Sequence, residues 1–510
     1  MRKNFIDKAV TFLSPEKAVE RIKARQKLEF LNSGYSHYAG NTFKKTMIGW
    51  DSESNSPIED INDNMPIVRE RSRDLYMGGS NIATGIINTT RTNVIGSGLV
   101  LKPSIDSAFL KMSDEEAKAW EQNTVREFEY FANSVNCDRF RMNNFYELQQ
   151  LAFLSMLLSG DVFVLLPHME KSGFIYDLSI QLIEADRIRT PDHMVETEDI
   201  SQGVETRKGE VHAYYVFDKH PNHYESTCKK IKAFGDKSNR RNILHLMESE
   251  RPGQTRGVPF LAPVIESLRQ LGRYTQAELT AALVGSKFTV FIKTATPEHS
   301  PGEGIPPEQQ LDADNPHSYE LGDGSVVNLA IGESIEIANP GRNSKAFEEF
   351  VSSILKQTGA ALGMPYELVI MHFSSSYSAS RAALLEAWKM FRMRRAWFAK
   401  DFCQPIYEEW LAEAIAKGRI HAPGFFEDPI VRAAYCKAEW HGPAKGEIDQ
   451  YRTAKATELL IDLGITTGER EAAEITGTDF NVNHRQRVKE ELMRKELREI
   501  TGELKGGEED

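Results

Sequence analysis

Two helical patterns with a hydroxyl-rich interruption between them, over residues 347–416, restrict the fold of this chain more than any other stretch. Phe347, Phe350, Val351, Ile354, Leu355 and Leu362 recur at spacings of three and four, which places them on one helical face. Pro365 has no amide hydrogen to donate and biases Met364 away from helical backbone, so this helix is predicted to end near Gly363. A second pattern runs from Ser380 to Ala416 through Leu384, Trp388, Phe391, Phe398, Phe402 and Trp410. It predicts roughly 50 Å of helix, kinked near Pro405. Between the two lies HFSSSYS, residues 372–378, whose serines compete with helical backbone pairing and predict a loop. That loop is either an ordinary helix–helix connection or a joint with a role of its own.

The composition admits a large folded protein and excludes several classes. At 510 residues the chain exceeds one core, and two to four structural units are expected. Forty per cent hydrophobic and 27% charged residues are ordinary for a soluble globular chain. A net charge of −12 argues against a surface that grips phosphate everywhere, although local basic patches remain compatible with it. Cys137, Cys228, Cys403 and Cys436 are far apart and form no CxxC pair, which disfavours both a zinc site and a disulfide framework. The first 29 residues mix charges throughout and have no apolar core of the kind a signal peptide needs. The most apolar stretch, residues 151–167, contains Gly160 and Asp161, and no transmembrane helix is expected.

Along the chain, residues 1–64 read as a charged helix followed by a polar arm. Helices are expected over 114–133 and 145–158, and strands at 99–101, 161–166, 179–183, 211–217, 229–234 and 243–247. Together these make an α+β unit. A long helix is expected over 263–288. A proline- and glycine-rich excursion over 294–343 follows, with short strands at 326–331 and 334–337. Past Gly418 come a proline-rich turn, charged helices at 445–463, 467–476 and 485–501, and a polar tail.

This order resembles the portal proteins of tailed bacteriophages, specifically the lambda-type portal family. The stretches that carry the resemblance are RERSRDLYMGGSNIATGIINTTRTNVIGSGL (69–99), IEADRI (183–188), HLMESERPGQTRGV (245–258), FEEFVSSILKQTGAALGMPYEL (347–368) and residues 374–398. It spans roughly residues 65–490, and the combination is specific although no single piece is. The chain departs from the broader family pattern at Gly257-Val258-Pro259, where Gly-x-Ser-Pro is often found.

The resemblance implies an α+β portal fold divided into an N-terminal arm (1–64), a wing (65–258), a first stem helix (259–293), a clip (294–344) and a second stem helix (345–370). A tunnel loop (371–380), a spine helix with the rest of the wing (381–440) and a crown with its tail (441–510) complete it. It also implies a ring, twelve copies in the family, around double-stranded DNA that passes without sequence preference. The implied partners are the terminase large subunit, head-completion or neck proteins, and major capsid and scaffolding proteins. The implied place is the virion's portal vertex, reached through the host cytoplasm, with no membrane contact and no cofactor.

Two groups of side chains become candidates under that resemblance. Met371, His372, Phe373, Ser374, Ser375, Ser376, Tyr377 and Ser378 would form the loop that faces DNA, since neutral hydroxyls touch a polyanion without trapping it through counterion release. Lys389, Arg392, Arg394 and Arg395 crowd one and a half helical turns and need carboxylates or phosphates opposite them. They read either as pairing between subunits or as DNA contact.

Enzyme signatures are weak. No phosphate-binding Gly-x-x-x-x-Gly-Lys-Ser/Thr loop occurs, so ATP hydrolysis is expected from a partner. Glu184/Asp186 and Asp312/Asp314 offer paired carboxylates that a metal-dependent DNA-processing enzyme could use. His220 and His223 flank a turn without an evident third ligand. Cys403 sits in the aromatic helix and reads as core. A structural subunit without catalysis is the leading reading; a metal-dependent nuclease and a non-channel scaffold or adaptor are the rivals.

Overall fold

A computed structural model describes residues 54–501, apart from 171, 224, 237–239, 287–289, 295–332, 338–343, 374–375, 445–449 and 479, together with residues 17, 19, 20, 23 and 24. The chain divides into two units, Met1–Ser56 and Pro57–Asp510, and every element below belongs to the second.

The order begins α1 (Pro57–Asn62), α2 (Met65–Asp74), α3 (Asn81–Val94), β1 (Val100–Pro103), α4 (Asp114–Ala132), α5 (Phe145–Ser159), β2 (Asp161–Leu165) and β3 (Gln181–Glu184). Next come β4 (Ile200–Ser201), β5 (Val204–Arg207), β6 (Glu210–Phe217), β7 (Cys228–Lys232) and β8 (Ile243–Met247). Helix α6 (Ile265–Ser286), the ribbon β9 (Val290–Thr294) and β10 (Glu333–Ile337), α7 (Ser344–Leu362) and the short α8 (Tyr366–Ile370) follow. The chain continues through α9 (Tyr377–Phe398), α10 (Gln404–Ala416), α11 (Pro429–Cys436) and β11 (Ala438–His441). It closes with α12 (Gln450–Asp462), α13 (Gly468–Ile475) and α14 (Phe480–Thr501).

Local chemistry sets the boundaries of the body. Ser113 and Glu116 form a reciprocal capping box at the start of α4, and Asn144 and Glu147 do the same for α5. Gly160 ends α5 with φ of +87°, and its backbone lies so close to Gly257 that a Cβ there would meet the Gly257 carbonyl at 2.4 Å. Only glycine fits that crossing.

Among the described residues the sheets are antiparallel: β3-β2-β8, β4-β5-β6-β7, and the ribbons β1-β11 and β9-β10. The main core lies where α4, α5 and the α9–α10 rod meet. Phe128 stands edge-on to Trp410 at 4.9 Å, and Phe145 stacks on Phe402 at 5.9 Å. A smaller core of Phe163, Ile183, Val204, Tyr214 and Ile243 joins the two larger sheets.

Helices α6 and α7 pack as an antiparallel pair, with the Tyr274 ring against Phe347 at 5.4 Å and Phe350 at 5.1 Å. Beyond their far ends β9 pairs with β10, Val290 opposite Ile337. The sequence reading placed a strand at 334–337 but not its partner at 290–294, and its strand at 326–331 lies outside the described residues.

Three expectations differ from the structure. The polar arm read through residue 64 includes α1, where Asn62 is buried and donates to Ser201 Oγ at 2.8 Å. The long second helix starts at Tyr377 rather than near Ser380. It is carried past Pro405 by a π-turn over Ala399–Cys403, which absorbs the hydrogen bond that proline cannot donate. Finally, the expected proline-rich turn past Gly418 includes β11, which pairs Trp440 with Leu101 and His441 with Val100.

Candidate functional site

The joint between α7 and α9 is built in steps. Helix α7 ends at Gly363, φ +66°, with the Met364 amide donating to the Gly359 carbonyl at 2.8 Å, a Schellman closure. Gly359 cannot carry a Cβ, which would lie 2.5 Å from the Met364 carbonyl oxygen. Pro365 then starts α8, whose Leu368 and Val369 are buried and anchor the turn. Met371 is left-handed, φ 53°, and the His372 amide closes back on the Glu367 carbonyl at 3.1 Å.

Met371, His372, Phe373 and Ser376 are exposed. Ser374 and Ser375 lie outside the described residues. Tyr377 and Ser378 belong to the first turn of α9, so the loop proper is shorter than the hydroxyl run suggested. Ser376 Oγ stands 3.4 Å from Ser378 Oγ, and the Ser380 amide donates to the Ser376 carbonyl at 2.9 Å.

The four candidate cations of α9 are not equivalent. Lys389 pairs with Glu386 at 2.6 Å and Arg392 with Glu474 at 3.2 Å, both on the surface. Arg394 is turned inward, 3.1 Å from Glu248 and over the Phe260 ring at 4.3 Å. Burial pushes its pKa down, and the Glu248 charge works the other way. Arg395 donates to the carbonyls of Val94 at 3.0 Å and Asn93 at 2.8 Å, satisfying the end of α3. Burial, then repulsion from Arg392, pushes its pKa down to about 10. Two of the four candidate contacts are therefore committed within the subunit, which helix position alone does not reveal.

A buried polar cluster escaped the sequence reading altogether. Asp161, at the start of β2, is fully buried and receives Arg256 in a two-pronged contact, Nε to Oδ2 at 2.7 Å and Nη2 to Oδ1 at 3.2 Å. Arg69 from α2 donates to Oδ1 at 3.3 Å and the Gly257 amide to Oδ2 at 3.0 Å. His245 Nε2 lies 3.4 Å away. Burial opposes ionisation of Asp161, but the guanidinium groups of Arg256 and Arg69 overcome it and hold the carboxyl well below its usual range. The remaining Arg256 donors reach the carbonyls of Ile188 and Ala185, each at 3.0 Å, and that of Gln202. Every partner is part of the framework, so the cluster joins α2, β2, β8 and the 185–188 turn. The one local clue was an aspartate heading an apolar strand.

The carboxylates of Glu184 and Asp186 do meet a third group, since His220 stands with them, all ligand atoms within 4.8 Å. His223 is not part of that group. His220 Nε2 already lies 3.1 Å from Glu184, and Asp186 is ion-paired to Arg73. A cation there would face the guanidinium of Arg73, so the cluster reads as surface ion pairing. Asp312 and Asp314 lie outside the described residues. Cys403 is buried and its thiol is pushed well up by desolvation, as suits a core residue rather than a nucleophile.

Residues 43–395 match the family model for the phage portal protein, lambda family. The chain belongs to that family. It is 24% identical over 489 residues to portal protein B of Escherichia phage lambda, covering 91% of this chain and 90% of that protein. It is 23% identical to the portal protein of Escherichia phage N15, with 91% of each covered. Among solved structures, a chain from the neck of an empty GTA particle aligns with a TM-score of 0.44 and 12% identity, over 79% of this chain and 92% of that one. This portal chain has mixed helix and sheet, and among its described residues no helix is long and apolar enough to cross a membrane.

Proposed function

We propose that this portal chain is one subunit of a ring, twelve copies by the family resemblance, that conducts double-stranded DNA during packaging and ejection. In this reading α6 and α7 are the stem, the region around β9–β10 is the clip, α9–α10 is the spine within the wing, and α12–α14 are the crown. The clip would dock the terminase large subunit first and neck proteins later. Major capsid and scaffolding proteins would surround the ring at the capsid vertex, after assembly in the host cytoplasm. The subunit does no chemistry; the motor's ATP hydrolysis belongs to its partner.

The observation that carries this reading is the family match over residues 43–395, which takes in the α6–α7 hairpin and the joint that follows it. The joint supports a DNA-facing role for Met371 to Ser378, because its described non-helical residues carry no Lys or Arg and four of them are exposed. A strongly cationic lining would hold the duplex by counterion release, whereas neutral groups let it slide. With Arg394 and Arg395 engaged inside the subunit, contact with DNA or a neighbouring copy falls to Lys389 and Arg392.

Electron micrographs of the purified full-length chain test the ring, with closed rings around an open axial bore expected. A lone globule or a solid disc would overturn it. Deleting or enlarging Ser374 to Ser378 should impair DNA packaging and retention in virions; packaging at the unmodified level would remove the loop from the channel.

A further inference from the structure

Helices α12, α13 and α14 contain no buried residue at any described position. This segment nevertheless carries twelve large apolar side chains exposed to solvent, among them Leu459 at 59%, Leu463 at 63%, Ile465 at 67%, Leu492 at 57% and Met493 at 63%. A dozen such side chains present on the order of 1,000 Å² of apolar surface. Summed over the three helices, that area is comparable with the roughly 800 Å² that one side of a stable protein interface buries. The side-chain attachments to the body include Lys102–Glu469 at 2.7 Å, Arg392–Glu474 at 3.2 Å, Lys118–Asn481 at 2.8 Å and Arg485–Gln122 at 3.0 Å, all polar and at least partly exposed. Exposed pairs of this kind are worth about 0–1 kcal/mol each. Helices without a buried face are marginal on their own.

The charge pattern selects the class of partner. Helix α14 interleaves six Lys and Arg with four Glu, and α12 carries two of each sign. A membrane-surface helix would show a mostly basic polar face, and a nucleic-acid-binding helix a single-sign stripe. Apolar positions flanked by both signs suit another helix of the same kind. Closing a ring requires two different faces on each copy, and α12 and α14 provide two.

We propose that α12–α14 complete their fold only on assembly, with α14 of one copy packing on α12 of the next. This rests on the ring reading above and adds to it that ring closure and folding of the C-terminal helices are one event. Amide exchange on the full chain, as dilute monomer and as ring, tests it. Amides of residues 450–501 should exchange at least about 100-fold more slowly in the ring, while those of β2 and β8 stay equally protected in both.

Contact between copies is tested by mixing Leu459→Cys and Leu492→Cys chains, both on a Cys228→Ser background. The mixture should yield a disulfide-linked dimer that neither chain forms alone. Rings that form with unchanged exchange over 450–501 and no cross-linked dimer would overturn the inference and leave the ring standing. Absence of rings at any concentration would remove both.

Discussion

Asp161 and its partners lie within the body, buried and bonded on every side, whereas α12–α14 have no buried residue at any described position and expose a dozen large apolar side chains. The first region is finished by one chain: two arginines, a carboxylate, a histidine and a glycine amide satisfy one another without outside help. The second is a set of amphipathic helices in search of a neighbour. A subunit built to assemble can leave part of its core to be made between copies, provided the part that nucleates folding is self-sufficient.

The contrast is sharpest when each region loses a side chain. Asp161→Asn keeps the shape of the cluster but leaves Arg69 and Arg256 buried without a counter-charge, a loss of about 3–5 kcal/mol in monomer stability. Denaturant melts of the dilute monomer measure it. A substitution such as Leu492→Ala should shift the same melt by no more than about 0.5 kcal/mol. Comparable losses from the two would mean that the C-terminal helices are already packed in the single chain.

Gly160→Ala comes next. The alanine must take up φ near +87° and press on the Gly257 carbonyl, at a cost of about 1–3 kcal/mol. Because Gly257 donates its amide to Asp161, the two substitutions share a partner and should be non-additive in a double-mutant cycle.

A smaller effect comes from His245. Burial lowers its pKa, against the pull of Asp161 beside it and with the help of Arg256 and Arg69. In the unfolded chain the imidazole takes a proton near pH 6.5, whereas in the folded chain it does so only lower down. Between those points the unfolded state binds more protons, so stability falls as pH drops from about 6.5 and levels off once the folded histidine is charged. Asp161 adds a separate loss below about pH 4, as acid protonates a carboxyl whose folded pKa is depressed. Melts of the monomer at stepped pH should show the upper slope, and His245→Asn should remove it while leaving the lower one.

How much of this was legible in sequence depended on distance along the chain. The strand at 243–247 and the helix at 145–158 are legible because apolar runs are local signals. Strand β11 has only four residues, and its partner β1 lies near the other end of the chain, so nothing near Ala438 announces it. The start of α9 was placed late because serine is read as loop, although it serves equally well in a first helical turn. The buried cluster draws on residues 69, 161, 245 and 256, which no spacing rule connects. For α9, the sequence shows a cluster of four cations over residues 389–395 but cannot say that Arg394 meets Glu248 and Arg395 the end of α3. Those partners come from other elements.

The smallest expected effect sits on the seam between the two regions. Arg392 of α9 reaches Glu474 of α13 at 3.2 Å, with about half of each side chain exposed. In the dilute monomer a double-mutant cycle of Arg392→Ala and Glu474→Ala should give a coupling of about 0.2–1 kcal/mol. It should fade as salt is raised toward 1 M, where the screening length falls to about 3 Å. A coupling well above that range, or one indifferent to salt, would mean that α13 is held firmly to the body before any second copy arrives. The distinction between a finished body and an unfinished cap would then fail at its joint. A weak, salt-sensitive coupling instead leaves the cap free to settle against a neighbour, as folding on assembly requires.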